Sequence, residues 1–140
     1  EYNPENYYKL IEPIKNKVTK VVYGSRVIEG GNRKRPTTFD FKVRIFANIF
    51  LTFLSNLMNK QNLTDAHTCY KVFSTNVLKK IELVEDGFCF CPEVTAKISK
   101  LGEKIVEVPI DYYGRTHKEG KKIKFTDGFR ALLSIFKYNL

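Results

Sequence analysis

The chain has 140 residues, of which 43% are hydrophobic and 14% are aromatic. That length and composition predict one globular domain, or part of one, and argue against a disordered protein. Lysine and arginine total 24 against 15 acidic residues, which gives a net charge of +9. A surplus of this size favours a polyanionic partner such as nucleic acid, anionic lipid head groups or a phosphorylated substrate, without choosing among them.

Cysteine content and hydropathy argue against a disulfide-bonded secreted protein and against a membrane-spanning one. Cys69, Cys89 and Cys91 are odd in number and lack the spacing of a disulfide framework, which indicates a reducing compartment rather than secretion. The longest uncharged apolar run covers residues 45–58, which is shorter than the ~18–20 residues of a membrane-spanning helix. Because the chain opens on a glutamate rather than a methionine, we expect a fragment or a processed product.

The first half of the chain predicts a helix, a strand, a basic loop and a long helix. Asn3-Pro4-Glu5 is typical of a helix start, with the asparagine as N-cap and the proline at the first helical position. Residues 20–23 are an apolar run that predicts a buried strand, and the glycines and cations of residues 24–38 predict a loop. Apolar side chains recur at helical spacing over residues 39–58, so this helix is either mostly buried or packed on something apolar. Its narrow polar stripe consists of Asn48, Thr52, Ser55 and Asn59.

The second half continues the alternation of strands and helices. Residues 68–73 predict a second strand, and Ser74 can cap a short helix after it. Pro92-Glu93 starts a further helix, residues 105–110 predict a third strand, and Thr126-Asp127 starts the last helix. Strands that alternate with helices indicate an α/β domain, although three strands make a thin sheet and imply a missing upstream piece.

Two alternative functions are a zinc site and binding of single-stranded nucleic acid. His67, Cys69, Cys89 and Cys91 are zinc-ligand types, yet their spacings are not those of structural zinc sites, so small reduced core cysteines are favoured. Aromatic residues interleaved with cations can form a platform for single-stranded nucleic acid. Most aromatics here lie at helical core spacing and no RNA-binding or zinc-finger motif is present, which disfavours nucleic acid as a partner.

Two basic loops, residues 26–35 and 115–124, carry the strongest functional signal. Both follow a predicted strand, and α/β domains bind their ligands at strand ends. Arginine forks match phosphate oxygens, and glycines allow the backbone to approach a ligand closely. The alternative is an ordinary solvated surface. We predict that the loops clamp phosphate groups, and that Arg115→Ala therefore costs more activity than Lys118→Ala.

Four stretches of the chain keep the order and spacing of a known protein family. They are VVYGSR at 21–26, LTDAHTCYKVF at 63–73, FCFCPEVTAKISKLGEKIVEVPIDY at 88–112 and GRTHKEGKKIKFTDGFRALLSIFKYNL at 114–140. Together they resemble glycosyltransferase family 2, in its dolichyl- or polyprenyl-phosphate sugar transferase branch. The resemblance implies a partial GT-A fold, a three-layer α/β/α arrangement in which residues 1–140 are the acceptor-side half. The nucleotide-binding half, with its Asp-x-Asp metal motif, is then expected upstream.

The resemblance also implies roles for single residues. It places catalytic roles on Asp65 and Arg115. It places substrate binding on Ser25, Arg26, Arg44, Thr68, Glu93, Lys121 and Lys122. Glu1 stands where some relatives have a metal ligand, so a divalent Mg²⁺ or Mn²⁺ ion with most ligands upstream is expected. His67 and Cys91 stand where many relatives carry acids, which leaves the identity of the sugar open.

The activity implied by the resemblance is transfer of a hexose from a nucleotide-diphosphate sugar to a polyprenyl or dolichyl phosphate. A lipid phosphate is already anionic near neutral pH and needs no dedicated general base, whereas the leaving diphosphate needs cations around it. The enzyme is expected to be cytoplasmic and peripheral, at the cytoplasmic face of the membrane, with this part inactive alone.

Partners and alternatives follow from the same residues. We expect the nucleotide sugar, the lipid phosphate and the membrane surface as partners, and no nucleic acid. Apolar side chains of the long and the last helix are expected to be uncovered, which favours a homo-oligomer; these are Phe46, Phe50, Phe53, Leu132 and Phe136. The alternatives are a family 2 transferase with a soluble or polysaccharide acceptor, and a basic module that binds nucleic acid or membranes.

Overall fold

The computed structural model describes residues 1–120 and 123–140, in which helices alternate with strands. The elements are α1 (Asn6–Lys15), β1 (Val21–Ser25), β2 (Arg33–Lys34), α2 (Phe39–Asn59), β3 (Lys71–Phe73), α3 (Thr75–Leu78), α4 (Phe90–Lys100), β4 (Ile105–Pro109), β5 (Tyr112–Tyr113) and α5 (Phe125–Asn139). Short 3-10 turns lie at Gly87–Cys89 and His117–Glu119. The predicted α/β class is confirmed.

A three-stranded mixed sheet forms the centre of the structure. Its middle strand, β1, is antiparallel to β3 on one side and parallel to β4 on the other. The parallel pair requires a long crossover, which α2, α3 and α4 provide together with β3. All five residues of β1 are buried, as expected for an apolar strand with neighbours on both sides.

Successive residues of β1 serve cores on opposite faces of the sheet. Val21 and Tyr23 pack with Val94 of α4 on one face, while Val22 packs with Leu10 of α1 on the other. This alternation follows from the two-residue period of a strand. Helices therefore cover both faces, in the predicted α/β/α order. The GT-A fold is a finer assignment and stays a prediction.

A second sheet of two strands joins the segments that the sequence predicts as loops. β2 pairs in parallel with β5, and Arg33 lies opposite Tyr112. The two basic segments are therefore more ordered than predicted. Strands of two residues carry no periodic signal, and these two lie far apart in the sequence, so local pattern cannot find them.

Three helix starts also differ from the predicted ones, and that of α5, at Phe125, lies only one residue before the predicted Thr126. α1 begins at Asn6, and Asn3 instead orders the preceding turn, because its Oδ1 accepts from the N–H of Glu5 at 3.1 Å. α4 begins at Phe90, ahead of the predicted Pro92-Glu93, because the 3-10 turn before it leads directly into the helix. None of these differences moves a predicted site residue to another element.

α2 buries its polar stripe and exposes apolar side chains. Thr52, Ser55 and Asn59 are buried, and Thr52 Oγ1 accepts from the N–H of Ala66 at 3.2 Å. The predicted uncovering of apolar side chains is confirmed for Phe46, Phe50, Phe53 and Phe136, whereas Leu132 is half-buried. Within the described residues, α2 is also the one helix that is long and apolar enough to cross a membrane by those two criteria.

Candidate phosphate-binding site

Arg26 and Asp65 form a buried ion pair at the carboxyl end of β1. Nε and Nη2 of Arg26 donate to the two carboxylate oxygens at 2.6 and 2.8 Å, and the backbone N–H of Arg26 adds a third bond at 3.1 Å. Asn48 of the α2 polar stripe donates to the same carboxylate at 3.2 Å. Burial opposes ionisation of Asp65, but these donors hold its pKa below the usual range. Both carboxylate oxygens are therefore occupied.

Glu107, a carboxylate in β4, holds the segment that carries Asp65. It accepts from the N–H groups of Thr64 at 2.7 Å and Asp65 at 2.9 Å. Burial raises the pKa of Glu107, although these hydrogen bonds oppose the rise. Ser25 Oγ lies 2.7 Å from Thr64 Oγ1 and accepts from the N–H of Val27 at 3.0 Å. Ser25 thereby fixes the first turn of the basic loop after β1.

Tyr112 and Asp111 connect this turn to the second basic loop. The guanidinium carbon of Arg26 lies 5.2 Å from the centre of the Tyr112 ring, which is a cation–π distance. Asp111 follows β4 and accepts from the N–H of Asn32 at 2.7 Å. That hydrogen bond is the main reason that the pKa of Asp111 is lowered. The start of β2 is thus tied to the segment before β5.

The two basic loops line one open cleft of about 590 Å³. Its lining consists of Lys34, Arg35 and Pro36 from the first loop, Tyr113, Gly114, Arg115, Thr116 and Glu119 from the second, and Glu1. A neighbouring cleft of about 310 Å³ adds Asp40 and Lys118 and shares Arg115. Arg115 therefore faces both clefts. Lys121 and Lys122, also predicted to bind phosphate, lie outside the described residues.

Cations outweigh acids in the larger cleft. The Glu1 carboxylate lies 3.8 Å from Arg115, but these side chains are 71% and 52% exposed, so the ion pair is weak. Glu119 accepts from the N–H and hydroxyl of Thr116 at 2.7 and 2.9 Å. Among the described residues, Lys34 and Arg35 form no ion pair with a carboxylate. An anion that enters the cleft meets cations from both loops.

Two residues predicted to bind substrate have partners elsewhere. Arg44 pairs with Asp40 one turn earlier in α2, at 3.0 Å, and so lies next to the smaller cleft. Glu93 is fully buried and accepts from the N–H groups of residues 84–85 and from Lys97 at 2.6 Å. Glu93 joins that turn to α4, and among the described residues no hydrogen bond or ion pair links it to another predicted site residue.

Thr68 and His67 belong to a separate polar cluster with Lys71 and Cys91. Lys71 donates to the backbone carbonyl of Thr68 and lies 3.3 Å from the sulfur of Cys91. Thr68 Oγ1 and His67 Nε2 are buried and have no hydrogen-bond partner in the described part of the chain. Burial, helped by the charge of Lys71, lowers the pKa of His67 to about 4. His67 is therefore neutral at physiological pH.

Metal-ligating side chains do not assemble in residues 1–120 and 123–140. No group of three or more His, Cys, Asp or Glu side chains there could hold a metal ion. The predicted Mg²⁺ or Mn²⁺ ion, with Glu1 as one ligand and most ligands upstream, therefore stays a prediction. The expectation of core cysteines is wrong, since Cys69 is exposed and Cys89 and Cys91 are half-buried.

Several residues that build the site are not predicted from the sequence. Glu107 interrupts the apolar strand IVEVP, and a charge within a strand could have marked it. Asp111 follows the same strand at its carboxyl end, where α/β domains place functional groups. Asn48 lies on the polar stripe of the long helix, and the sequence does not indicate its partner. Arg33 is one cation among several in its loop, and no sequence pattern indicates its local geometry.

Comparison with known proteins relates the chain to a sugar transferase. An undecaprenyl-phosphate mannosyltransferase of Micrococcus luteus is 28% identical over 123 residues, which cover 86% of this chain and 48% of that protein. An uncharacterized protein of Methanocaldococcus jannaschii is 24% identical over 137 residues, or 96% of this chain and 55% of that protein. No protein-family model matches the chain. The chain thus spans about half the length of these relatives and is distantly similar to a glycosyltransferase.

Proposed function

We propose that this chain is the acceptor-side part of a glycosyltransferase that moves a hexose from a nucleotide-diphosphate sugar to a polyprenyl phosphate. One observation carries the proposal: the pairing of β2 with β5 puts two basic loops on one cleft, next to the start of the apolar helix α2. A lipid phosphate needs both surfaces, since its head group is anionic and its tail is apolar. The mannosyltransferase relative, named for undecaprenyl phosphate, supports this acceptor class.

The proposed chemistry uses cations rather than a general base. A phosphate monoester has a second pKa of about 6, so its oxygen is already a nucleophile near neutral pH. It attacks the anomeric carbon while the bond to the nucleoside diphosphate breaks, and cationic groups stabilise the departing charge. Arg115 can donate two parallel hydrogen bonds to such oxygens. Asp65, whose oxygens already accept from Arg26, acts in this proposal by positioning Arg26.

We place the reaction at the cytoplasmic face of the membrane, with the protein attached peripherally. α2 and α5 expose large apolar side chains, including Phe46 at 72% and Phe129 at 61%. After Arg44, α2 carries no further charged residue. A soluble or polysaccharide acceptor would leave this exposed apolar surface without a role, which is why the lipid acceptor is favoured.

The test is sugar transfer by the full-length protein that contains this chain, with polyprenyl phosphate and a soluble sugar offered as separate acceptors. We expect transfer to the lipid only. Loss of a phosphate contact in the transition state costs ~2–4 kcal/mol, so Arg115→Ala should lower turnover by roughly 30- to 1000-fold. Lys79→Ala, which removes an exposed cation at the end of α3, is the matched control and should keep normal turnover.

Two outcomes would contradict the proposal. Transfer to the soluble sugar but not to polyprenyl phosphate would replace the acceptor class. Normal turnover of the Arg115→Ala enzyme at saturating nucleotide sugar would show that the cleft between the loops holds no reacting phosphate. Melting temperatures of both variants separate a loss of chemistry from a loss of folded protein.

A further inference from the structure

The guanidinium of Arg33 is only partly used by the protein. Its Nη1 donates to the backbone carbonyl of Val27 at 2.7 Å. Its Nε and Nη2 are buried and have no hydrogen-bond partner among the described residues. These two nitrogens lie on one edge of the planar group and donate in parallel, which is the geometry that carboxylate and phosphate oxygens accept. A buried charged donor pair without a partner is costly, so this edge calls for an anion.

Arg26 shows what the same edge does when a partner is present. Its Nε and Nη2 donate to the two oxygens of Asp65 at 2.6 and 2.8 Å. The protein thus builds one complete arginine–carboxylate fork and, a few residues later in the same loop, one fork of the same type whose acceptor is not supplied by the described residues.

The carboxylates near Arg33 do not accept hydrogen bonds from its Nε and Nη2. Asp65 is already bound by Arg26 and Asn48, and Glu29 is near enough to favour the charged guanidinium without forming an ion pair among the described residues. Arg35 lies nearby with the same sign. Burial and the charge of Arg35 together lower the pKa of Arg33. An added anion would relieve both effects.

The backbone fixes Arg33 directly before two residues that line the larger cleft, although Arg33 itself is not among the lining residues. It belongs to β2, which is paired with β5, and the residue before it is anchored by the hydrogen bond from Asn32 to Asp111. The next two residues, Lys34 and Arg35, line the larger cleft. The side chain is therefore carried by an ordered element rather than by a free loop.

We propose that the Nε–Nη2 edge of Arg33 binds two oxygens of a phosphate group that enters from the cleft between the basic loops. The ligand is a phosphate monoester or a diphosphate. The inference rests on the proposed function only for the source of that phosphate, which is either the nucleotide or the lipid head group. It assigns a binding role to a residue that the family resemblance does not mark.

The first experiment is arginine side-chain NMR of the 140-residue chain, titrated separately with inorganic phosphate, a nucleoside diphosphate and a short-chain prenyl phosphate. We expect the Nε–H signal of Arg33 to shift and to exchange more slowly with water at saturation. The Nε–H signal of Arg26, already bonded to Asp65, should stay in place. The three ligands separate the nucleotide source from the lipid source. If none of them moves the Arg33 signal, the inference is overturned.

The second experiment compares three variants by calorimetric titration with the ligand that binds most tightly. Arg33→Lys keeps the charge but removes the parallel donor edge, and Arg33→Gln removes both. Lys79→Gln is the control, since it removes one charge from an exposed position at the end of α3 that lines neither cleft. We expect at least tenfold weaker binding for both Arg33 variants and less than threefold for Lys79→Gln.

Wild-type affinity in Arg33→Lys, or equal losses in Arg33→Gln and Lys79→Gln, would reduce the effect to general charge and overturn the inference. If an Arg33 variant fails to fold, the NMR titration of the unaltered chain decides alone. Neither experiment measures sugar transfer. An inactive full-length enzyme would therefore contradict the proposed function but not the inference about Arg33.

Discussion

His67 is half-buried, and its Nε2 has no partner in the described part of the chain. Burial and the nearby charge of Lys71 lower its pKa to about 4, whereas an unfolded histidine has a pKa of ~6.5. Between these two pH values the unfolded chain binds a proton that the folded chain does not. The free energy of unfolding therefore rises with pH across this window, and stability is lost as the pH falls.

We predict that His67→Gln weakens this pH dependence. Between pH 7 and pH 4.5, wild type should lose on the order of 1–2 kcal/mol more stability than the variant, an amount discounted for partial exposure of the ring. The measurement is urea denaturation across that range. The carboxylates titrate alike in both proteins, so their contribution cancels when the stability of the variant is subtracted from that of wild type. Parallel stability curves for the two proteins would mean that His67 titrates normally.

The β2–β5 pair depends on a close approach of the chain to itself at one glycine. A Cβ on Gly31 would lie 2.2 Å from the carbonyl oxygen of Ile110, far inside contact distance, and backbone rather than a flexible side chain would have to move. We predict that Gly31→Ala destabilises the fold by roughly 1–3 kcal/mol, the usual range for overpacking.

Gly128→Ala is the matched control, because its added Cβ meets no atom within 4 Å and the residue lies inside α5. It should stabilise the fold by ~0.5–1 kcal/mol, as alanine does in a helix interior. Denaturant unfolding of both variants makes the comparison. A Gly31→Ala protein as stable as wild type would contradict the close approach, and with it the rigid connection between the two loops.

Local pattern predicts those elements that carry a local signal. β1 and β4 follow from short apolar runs, and α2, α4 and α5 from helical spacing, with errors confined to their ends. The β2–β5 pair follows from no such pattern, since it joins two-residue strands from distant segments. The orientation of α2 was left open because an apolar helix with a polar stripe fits either burial pattern until its neighbours are known.

For the candidate site, too, the sequence predicts single residues but not the contacts between them. Arg26 and Asp65 were each predicted to bind or react, yet their mutual contact was not, because they are 39 positions apart and each residue type is common at active sites. Glu93 was predicted to bind substrate, and the structure gives it backbone partners in a turn. Residue types and family spacing therefore identified candidates, and only the fold showed which of them meet.

At the scale of the whole molecule, positive charge and apolar surface occur side by side. The smaller cleft is lined by Arg115 and Lys118 and also by Phe41 at the start of α2. From there, α2 and α5 pack against each other and present an uncovered apolar surface. We call this the outer apolar face; it consists of Phe46, Ile49, Phe53, Leu57, Phe129 and Leu133. This arrangement suits a protein that lies on an anionic membrane and receives a lipid head group from it.

We predict that the chain binds vesicles containing anionic lipid through the outer apolar face. Burying an exposed phenylalanine side chain contributes ~1–2 kcal/mol, so the double substitution Phe46→Ser and Phe53→Ser should weaken vesicle binding by roughly 30- to 1000-fold. Folded stability should hardly change, because these side chains are 72% and 62% exposed. Tyr8→Ser, on the helix that covers the opposite face of the sheet and 81% exposed, is the control.

Vesicle flotation measures binding, and sedimentation velocity without lipid measures self-association of the same proteins. If the outer apolar face binds membranes, the double variant loses flotation, Tyr8→Ser keeps it, and added salt weakens binding because the cations beside the face contribute. If the face instead binds a second copy, wild type forms an oligomer that the double variant lacks, and neither protein floats. That second result would remove the membrane from the proposed function, because a second copy of the chain would then cover the outer apolar face.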